Sequence, residues 1–203
     1  MNTRRLFLAS PLLGLIGCSE APKQEKKAEE KPPEPVTGRY AFFQMYGAAR
    51  RWAPDMQCLR LRNIRLQEVK DSGGKCAAWE ATFVSPAKQK ARIFTYSVIE
   101  APGNLHEGVF AGLEEAWGGP RPHSRPWVVQ ALKVDSDEAY QTALKKSEAY
   151  VKKNPDQAVI FLLENTNRHP NLAWRVIWGE SVAMSGYSIF VDASTGAYLE
   201  TMR

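Results

Sequence analysis

The side chains best suited to chemistry in this sequence are its three histidines and three cysteines. A zinc site needs three or four convergent ligands, and a thiol enzyme needs a base beside its cysteine. The short motifs that bring such groups together, including HExxH, CxxC and GxSxG, do not occur in the sequence. We therefore expect a protein that is not an enzyme and that holds no metal or cofactor. A site assembled from distant residues stays open as an alternative, in which His123 or His169 lies near Cys58, Cys76 or a carboxylate.

Cys58 and Cys76 could pair as a disulfide, which an exported protein can keep because its surroundings are oxidising. If residues 71–74 form a tight hairpin turn, the two cysteines lie far apart along their strands, at about 3.3 Å per residue. A bend near residues 62–65, or pairing across strands that do not follow one another in the chain, would remove that difficulty. The alternative is that both cysteines are small buried hydrophobic residues, and the sequence leaves the two possibilities open.

The most unusual stretch of the chain is WGGPRPHSRPW at residues 117–127, in which tryptophan, arginine and proline are concentrated. Tryptophan and arginine are enriched at the energetic centres of protein interfaces. One interpretation is a recognition loop, whose candidate partner-binding residues are Trp117, Arg121, His123, Arg125 and Trp127. The other, which we favour, is a linker over residues 119–133 whose tryptophans fill the cores of the two halves.

The first residues have the pattern of an export signal. Arg4 and Arg5 form a basic head, and residues 6–17 form an apolar run that is shorter than the roughly 20 residues of a membrane-spanning helix. The sequence LIGC, which ends at Cys18, is similar to the lipobox of bacterial lipoproteins. This resemblance implies that residues 1–17 are a signal peptide and that the sulfur of Cys18 receives a lipid.

The same resemblance implies the location of the protein. A lipid on Cys18 would anchor the chain in a membrane of the cell envelope, because each buried methylene contributes about 0.8 kcal/mol. Ser19 stands where an aspartate would signal retention in the inner membrane, which favours the periplasmic face of the outer membrane. The export route stays open, because TRRLFL at residues 3–8 is similar to a twin-arginine signal but also suits an ordinary basic head.

Residues 18–38 predict a tether between the lipid and a folded domain. They are rich in glutamate, lysine and proline and poor in large apolar side chains, so they cannot bury enough surface to offset the entropy of ordering. A proline-stiffened segment of this length would reach about 60 Å at about 3.1 Å per residue. The net charge of +5 is small and its basic residues do not cluster, so we expect no nucleic-acid partner.

The remaining residues repeat one layout, a helix followed by strands, first over residues 39–118 and again over residues 134–203. Apolar residues at helical spacing predict helices over residues 40–53 and 137–153, with Thr37 and Asp135 before them as N-cap candidates. Alternating apolar residues between turn signals predict the strands. The predicted strands are residues 58–69, 76–84, 91–100, 157–164, 172–179, 186–192 and 197–201.

The second copy resembles the PepSY family in the segments VDSDEAYQTAL, NLAWRVIWG and YSIFVDASTGAYLE. This resemblance, which is fainter over the first copy, implies a cystatin-like fold in which one helix packs on an antiparallel sheet. The expected fold class is therefore α+β, with two tandem cystatin-like, PepSY-like halves. The resemblance also implies a non-catalytic role and structural roles for the matched residues Trp174, Asp192, Thr195 and Gly196.

Together these features predict a non-catalytic, lipid-anchored envelope protein that binds another envelope protein. The family resemblance adds a peptidase-inhibitory role as one form of that binding. One alternative is an envelope enzyme, which would need a cleft where a histidine lies near a cysteine or a carboxylate. The other is a structural spacer in envelope assembly, which would have no concave site.

Overall fold

The structure is a computed structural model that describes residues 32–103 and 105–203. Residues 32–203 belong to one compact unit. Within the described residues there are two α-helices, ten strands and a 3₁₀ turn at Val129–Ala131. In chain order the helices and strands are β1 (Val36–Thr37), α1 (Gly38–Trp52), β2 (Gln57–Ile64), β3 (Lys75–Cys76), β4 (Ala78–Ser85), β5 (Lys90–Ser97), β6 (Gly108–Ala116), α2 (Ser136–Lys153), β7 (Val159–Glu164), β8 (Ala173–Gly179), β9 (Ser185–Asp192) and β10 (Tyr198–Met202).

Eight of the strands form one antiparallel sheet in the order β10-β9-β8-β7-β2-β4-β5-β6, and β1 pairs with β3 in a small second sheet. The strands that follow α1 and those that follow α2 meet at the centre of the large sheet. There β2 pairs with β7, and Leu61 lies opposite Leu163. This central pairing makes one continuous surface from the two parts of the chain.

The predicted fold class is therefore wrong. The described chain is mostly β, and it does not form two tandem helix-on-sheet halves: one eight-stranded sheet and one hydrophobic core draw residues from both parts of the chain. The physical reason is the free edge. Separate halves would each expose the unpaired backbone groups of a long strand, and pairing β2 with β7 removes both edges.

Both helices begin where the sequence predicts. The Thr37 side chain accepts a backbone N–H of the first turn of α1 at 3.3 Å. The Asp135 carboxylate caps α2 by accepting the N–H of Ser136 at 2.6 Å, and the same oxygen accepts the N–H of Arg39 in α1 at 2.9 Å. One carboxylate therefore caps α2 and also holds the start of α1.

Ser136 joins three segments at this point. Its fully buried hydroxyl accepts the N–H of Gly38 at 2.7 Å and donates to the carbonyl of Gly74 at 2.7 Å. A Cβ on Gly38 would lie 2.9 Å from the rings of both Trp79 and Trp174, so the start of α1 comes too close to the core for any side chain. The starts of both helices and the β2–β4 connection are thus fixed together.

Both helices cover the same face of the large sheet. Phe42 of α1 packs on Phe83 with ring centroids 5.8 Å apart, and Tyr140 of α2 packs on Phe161 at 5.9 Å. Strand register and alternation place Phe83 and Phe161 on one side. We call this side the covered face, and the opposite side the open face.

Three features differ from the sequence predictions. Strand β6 was not predicted, because GVFAGLEEA does not alternate and its pairing with β5 is interrupted by a bulge. The folded body begins inside the predicted tether, since β1 and the start of α1 lie within residues 18–38. Strand β2 ends at Ile64 and is shorter than the predicted strand over residues 58–69.

The turn after β9 confirms the structural roles expected of three matched residues. Asp192 accepts the N–H groups of Ser194 at 2.8 Å and Thr195 at 2.9 Å. Gly196 has a φ of +75°, a conformation that glycine adopts without strain. Asp192 therefore closes the turn into β10.

Candidate functional site

The open face carries an ordered row of side chains. Pairing register places one residue from each of the eight strands side by side, so the row crosses the whole sheet. From β6 to β10 this central row is Phe110, Thr95, Glu80, Arg62, Leu162, Arg175, Phe190 and Glu200. It combines apolar, aromatic and charged groups on a face that neither helix covers.

The charged groups of the central row are held by their neighbours. Arg62 makes two parallel bonds to the Glu80 carboxylate, at 3.0 and 3.1 Å, and their side chains are 44% and 12% exposed. Arg175 donates to the hydroxyls of Ser188 at 3.2 Å and Ser185 at 2.9 Å. These bonds fix the guanidinium groups before any ligand arrives.

Arginines also cover the apolar part of the open face. The guanidinium groups of Arg168 and Arg175 lie 5.3 and 5.6 Å from the ring centroid of Phe190, which is only 7% exposed. Arg168 also pairs with Glu200. Planar cations stacked on an aromatic ring are attracted to its electron-rich face. The result is a surface whose outer layer is polar and whose inner layer is apolar.

A second row lies beside the central one and includes Arg60 and Glu164 on neighbouring strands. Burial raises the pKa of the Glu164 carboxyl, although Arg60, Arg175 and His123 all oppose that rise. On the same face, the hydroxyls of Thr82 and Thr95 are shielded and have no hydrogen-bond partner among the described residues. This part of the surface therefore keeps unsatisfied polar groups.

The structure separates the residues predicted in the linker. Trp127 is 4% exposed and stacks on Phe42 with centroids 5.3 Å apart, so it fills the core. Arg121 and His123 are exposed, and His123 lies near Glu164 at the margin of the open face. Trp117 is half-buried and belongs to a pocket at the end of the sheet.

That pocket, which we call the linker pocket, has a volume of about 560 Å³. Its walls combine residues of the linker with residues near the ends of β2, β4 and β5. They are Gln57, Pro86, Gln89, Trp117, Gly118, Gly119, Pro120, Arg125 and Pro126. Arg125 is the charged member of this set.

Two of the described histidines lie beside carboxylates, as the enzyme alternative requires of a histidine, but not beside a cysteine. His106 bonds to Glu100 at 2.7 Å, but both side chains are exposed, and the ring packs on Phe110. His169 lies 3.6 Å from Glu200, and burial lowers its pKa. Neither His106 nor His169 has Cys58 or Cys76 as a bonding partner among the described residues, and the enzyme alternative stays a prediction.

Cys58 and Cys76 are buried free thiols in the structure. Cys58 pairs with Phe83, whereas Cys76 pairs with Val36 in the small sheet, so the two sulfurs lie near opposite ends of β2. This spacing follows the hairpin geometry, so of the two possibilities left open by the sequence the structure has two small buried residues and no disulfide. Burial raises the pKa of both thiols, which keeps them protonated and unreactive.

A second cavity, of about 610 Å³, lies between the β2–β3 loop, α2 and the turn before β7. Its walls carry both signs of charge, including Lys70, Lys75, Asp71 and Asp156. Burial raises the pKa of Asp71. Because three basic and two acidic side chains line it, with Arg65 as the third basic one, this cavity indicates no particular ligand.

Within the described residues, no three histidine, cysteine, aspartate or glutamate side chains are grouped as a metal site would require. In the same part of the chain, no helix is long and apolar enough to cross a bilayer. Cys18, the predicted lipidation site, lies outside the described residues.

Comparisons with known proteins assign no family. No protein-family model matches the chain, so its resemblance to the PepSY family is not confirmed, and no curated protein matches it. Among solved structures, a candidate lipoprotein from Clostridium difficile 630 is similar over 86% of this chain and 95% of its own length. The two chains share 11% of their residues, with a TM-score of 0.46, which is too low to support an argument about function.

The residues of the central row were missed by sequence reasoning. Alternation within each strand could have shown that Arg60 and Arg62 point to the same side. It could not have shown which side the helices cover, or how eight strands align in register.

Proposed function

We propose that this protein is a lipid-anchored protein of the bacterial cell envelope that binds a partner protein through its open face. The observation that carries the proposal is the central row, which brings one side chain from every strand of the large sheet onto a face without a helix. A folded chain of this size usually buries both faces of its sheet or leaves the second one uniformly polar. Here the second face keeps aromatic rings beneath arginines.

The size of the open face suits a protein partner. Neighbouring strands lie about 4.8 Å apart, so a row across eight strands spans roughly 34 Å. A stable interface buries about 800 Å² on each partner, which is a patch of similar width. A small molecule would need a deeper and more enclosed site.

The chemistry of the open face also suits a protein partner. Arginine and aromatic residues are the types that contribute most to interfaces. Because Arg62 and Arg175 are already fixed by Glu80, Ser185 and Ser188, their ordering costs little on binding.

The anchor and the location rest on the N-terminal residues. The LIGC sequence that ends at Cys18 supports lipidation, and Ser19 favours the periplasmic face of the outer membrane. A flexible tether would let the open face reach a neighbouring envelope protein. Inhibition of an envelope peptidase is the form of binding that the PepSY resemblance favours.

Site-specific photo-crosslinking in living cells of the native host tests the proposal. A photoreactive amino acid at Ile93 or Ile160 samples the open face, and the same amino acid at Gln44 samples the outer surface of α1. We expect the two open-face positions to capture one common protein and the Gln44 position not to capture it. Mass spectrometry identifies the product.

The outcome that rejects the open face as a binding surface is capture from Gln44 alone, or no capture from either open-face position. A Cys18→Ala variant tests the anchor separately. Loss of the crosslink in this variant supports a partner held at the membrane, whereas an unchanged crosslink shows that anchoring is not needed for binding.

A further inference from the structure

The linker pocket has apolar walls and one charge. Trp117 and the prolines at 86, 120 and 126 supply its apolar surface, and Arg125 supplies the charge; no aspartate or glutamate lies among the lining residues. An apolar wall lowers the local dielectric and strengthens any electrostatic interaction beside it. The pocket therefore favours a ligand that is both apolar and negatively charged.

The charge of Arg125 is not balanced by the described residues. Its Nη2 donates to the Asn165 side-chain oxygen at 2.9 Å and to the Thr166 carbonyl at 2.8 Å, and both acceptors are neutral. Its Nε is shielded and has no partner, and no described carboxylate lies within ion-pair distance of the guanidinium. A partly buried cation without a counter-charge is expensive, and a bound carboxylate would remove that cost.

The pocket also has backbone donors available. Gly118 and Gly119 line it, and their N–H groups make no backbone hydrogen bond within the described residues. A Cβ at either glycine would meet nothing within 4 Å, so the space beside the backbone of both residues is open. Consecutive free N–H groups beside a guanidinium are an arrangement that binds a terminal carboxylate.

We propose that the linker pocket binds the C-terminal residue of a polypeptide when that residue is apolar. The side chain of the ligand lies between Trp117 and the prolines. Its carboxylate faces Arg125 and the N–H groups of Gly118 and Gly119. This inference does not depend on the open face, since the linker pocket and the central row share no residue.

Fluorine NMR of the full chain in detergent, labelled with 5-fluorotryptophan, provides the test. The six tryptophans give six resonances, and a Trp117→Phe variant assigns the one from the pocket. The probes are the tetrapeptide acetyl-Gly-Gly-Gly-Phe with a free carboxylate and the same peptide with a C-terminal amide. We expect saturable shifts of the Trp117 resonance, with a Kd near the millimolar range for so small a ligand, and binding at least tenfold weaker for the amide.

An Arg125→Gln variant should weaken binding of the acid to the level of the amide. Arg121→Gln is the matched control, because Arg121 is an exposed arginine of the same linker that does not line the pocket. The resonances of the buried Trp79, Trp174 and Trp178 report whether each variant stays folded. If Arg125→Gln does not fold, the comparison of acid and amide on the unaltered protein still tests whether the linker pocket recognises a terminal carboxylate.

Equal affinity for the acid and the amide would overturn the proposal, as would shifts confined to tryptophans other than Trp117. Binding of 3-phenylpropionate without binding of the tetrapeptide acid would also overturn it, because the source would then be a free acid and not a polypeptide. None of these outcomes depends on the crosslinking of the open face, so the two proposals can fail separately.

Discussion

The two faces of the large sheet carry different kinds of side chain, large apolar ones on the covered face and charged ones on the open face. The covered face holds Trp79, Trp174 and Trp178, each at most 1% exposed, beneath two helices. The open face holds arginines and glutamates over a thin apolar layer. Burial of large apolar side chains is the main source of stability, whereas exposed ion pairs contribute little.

The open face is nevertheless not an ordinary solvated surface. Ile177 and Phe190 lie on it, yet they are 0% and 7% exposed, and the guanidinium groups of Arg168 and Arg175 lie over the Phe190 ring. Arginine can cover apolar surface with its methylene stem while its head stays in water. The comparison teaches that the covered face, which buries the largest apolar side chains, contributes most to the stability of the fold.

Trp174→Ala should show the largest effect. The substitution leaves a cavity on the covered face and removes the bond from the indole N–H to the Val134 carbonyl at 2.9 Å. We expect the free energy of unfolding to fall by about 3–5 kcal/mol, measured by equilibrium unfolding in urea. Phe110→Ala is the matched change on the open face, where the ring is 36% exposed, and it should cost less than about 1 kcal/mol. Similar costs for the two variants would show that the faces do not differ in this way.

Ser136→Ala should have an intermediate effect. It removes a hydroxyl that serves both Gly38 and Gly74 and leaves their buried backbone groups unsatisfied. We expect a loss of about 2 kcal/mol in urea unfolding, because an unsatisfied buried polar group costs about 1–3 kcal/mol.

Ser147→Ala provides the control for this prediction. Ser147 is equally buried in α2, but its hydroxyl donates at 2.8 Å to the carbonyl of Ala143 in the same helix. That carbonyl belongs to the helix ladder, and alanine is the better helix former, so we expect a change near zero. An equal loss for both serines would mean that burial, and not the junction of three segments, explains the cost.

Local patterns made most of the individual elements predictable. The two helices show apolar residues at helical spacing after Thr37 and Asp135, and the strands other than the short β1 and the irregular β6 fall within predicted segments or overlap them. These signals lie within one element and depend on the side chains of that element alone. Strand β6 lacks the signal because its two glycines and its bulge interrupt alternation.

Long-range pairing could not be predicted in the same way. The contact of β2 with β7 joins residues that are about one hundred positions apart, and no local pattern specifies a partner strand at that distance. The linker shows the same limit. Trp117 and Trp127 are of one type in one motif, yet one lines a pocket and the other stacks on Phe42 in the core.

Glu164→Gln should have the smallest effect, and it should stabilise. Burial raises the pKa of the Glu164 carboxyl in the folded state above its unfolded value of about 4.3. The protonated carboxyl therefore makes its full contribution to folding only below a pH of about 4.3. This contribution to the free energy of unfolding is lost as the pH rises through the pKa that Glu164 has in the folded state. Glutamine cannot ionise, so at pH 7 we expect the variant to unfold at a higher urea concentration, with a gain of about 0.5 kcal/mol. The gain should shrink between pH 7 and pH 4.

Asp192→Asn should respond to pH in the opposite sense. Burial alone would raise the pKa of Asp192, but the bonds that it accepts from Asn171, Ser194 and Thr195 outweigh burial and hold the pKa below its usual value. The ionised Asp192 carboxylate contributes to the free energy of unfolding above the unfolded pKa of about 3.9. This contribution is lost as the pH falls through the pKa that Asp192 has in the folded state. The asparagine variant should therefore be less stable than the unaltered protein at pH 7, by a margin that narrows toward pH 3. If both variants lost stability at pH 7, burial of the ionised Glu164 carboxylate would not destabilise the fold, which contradicts the first of the two predictions.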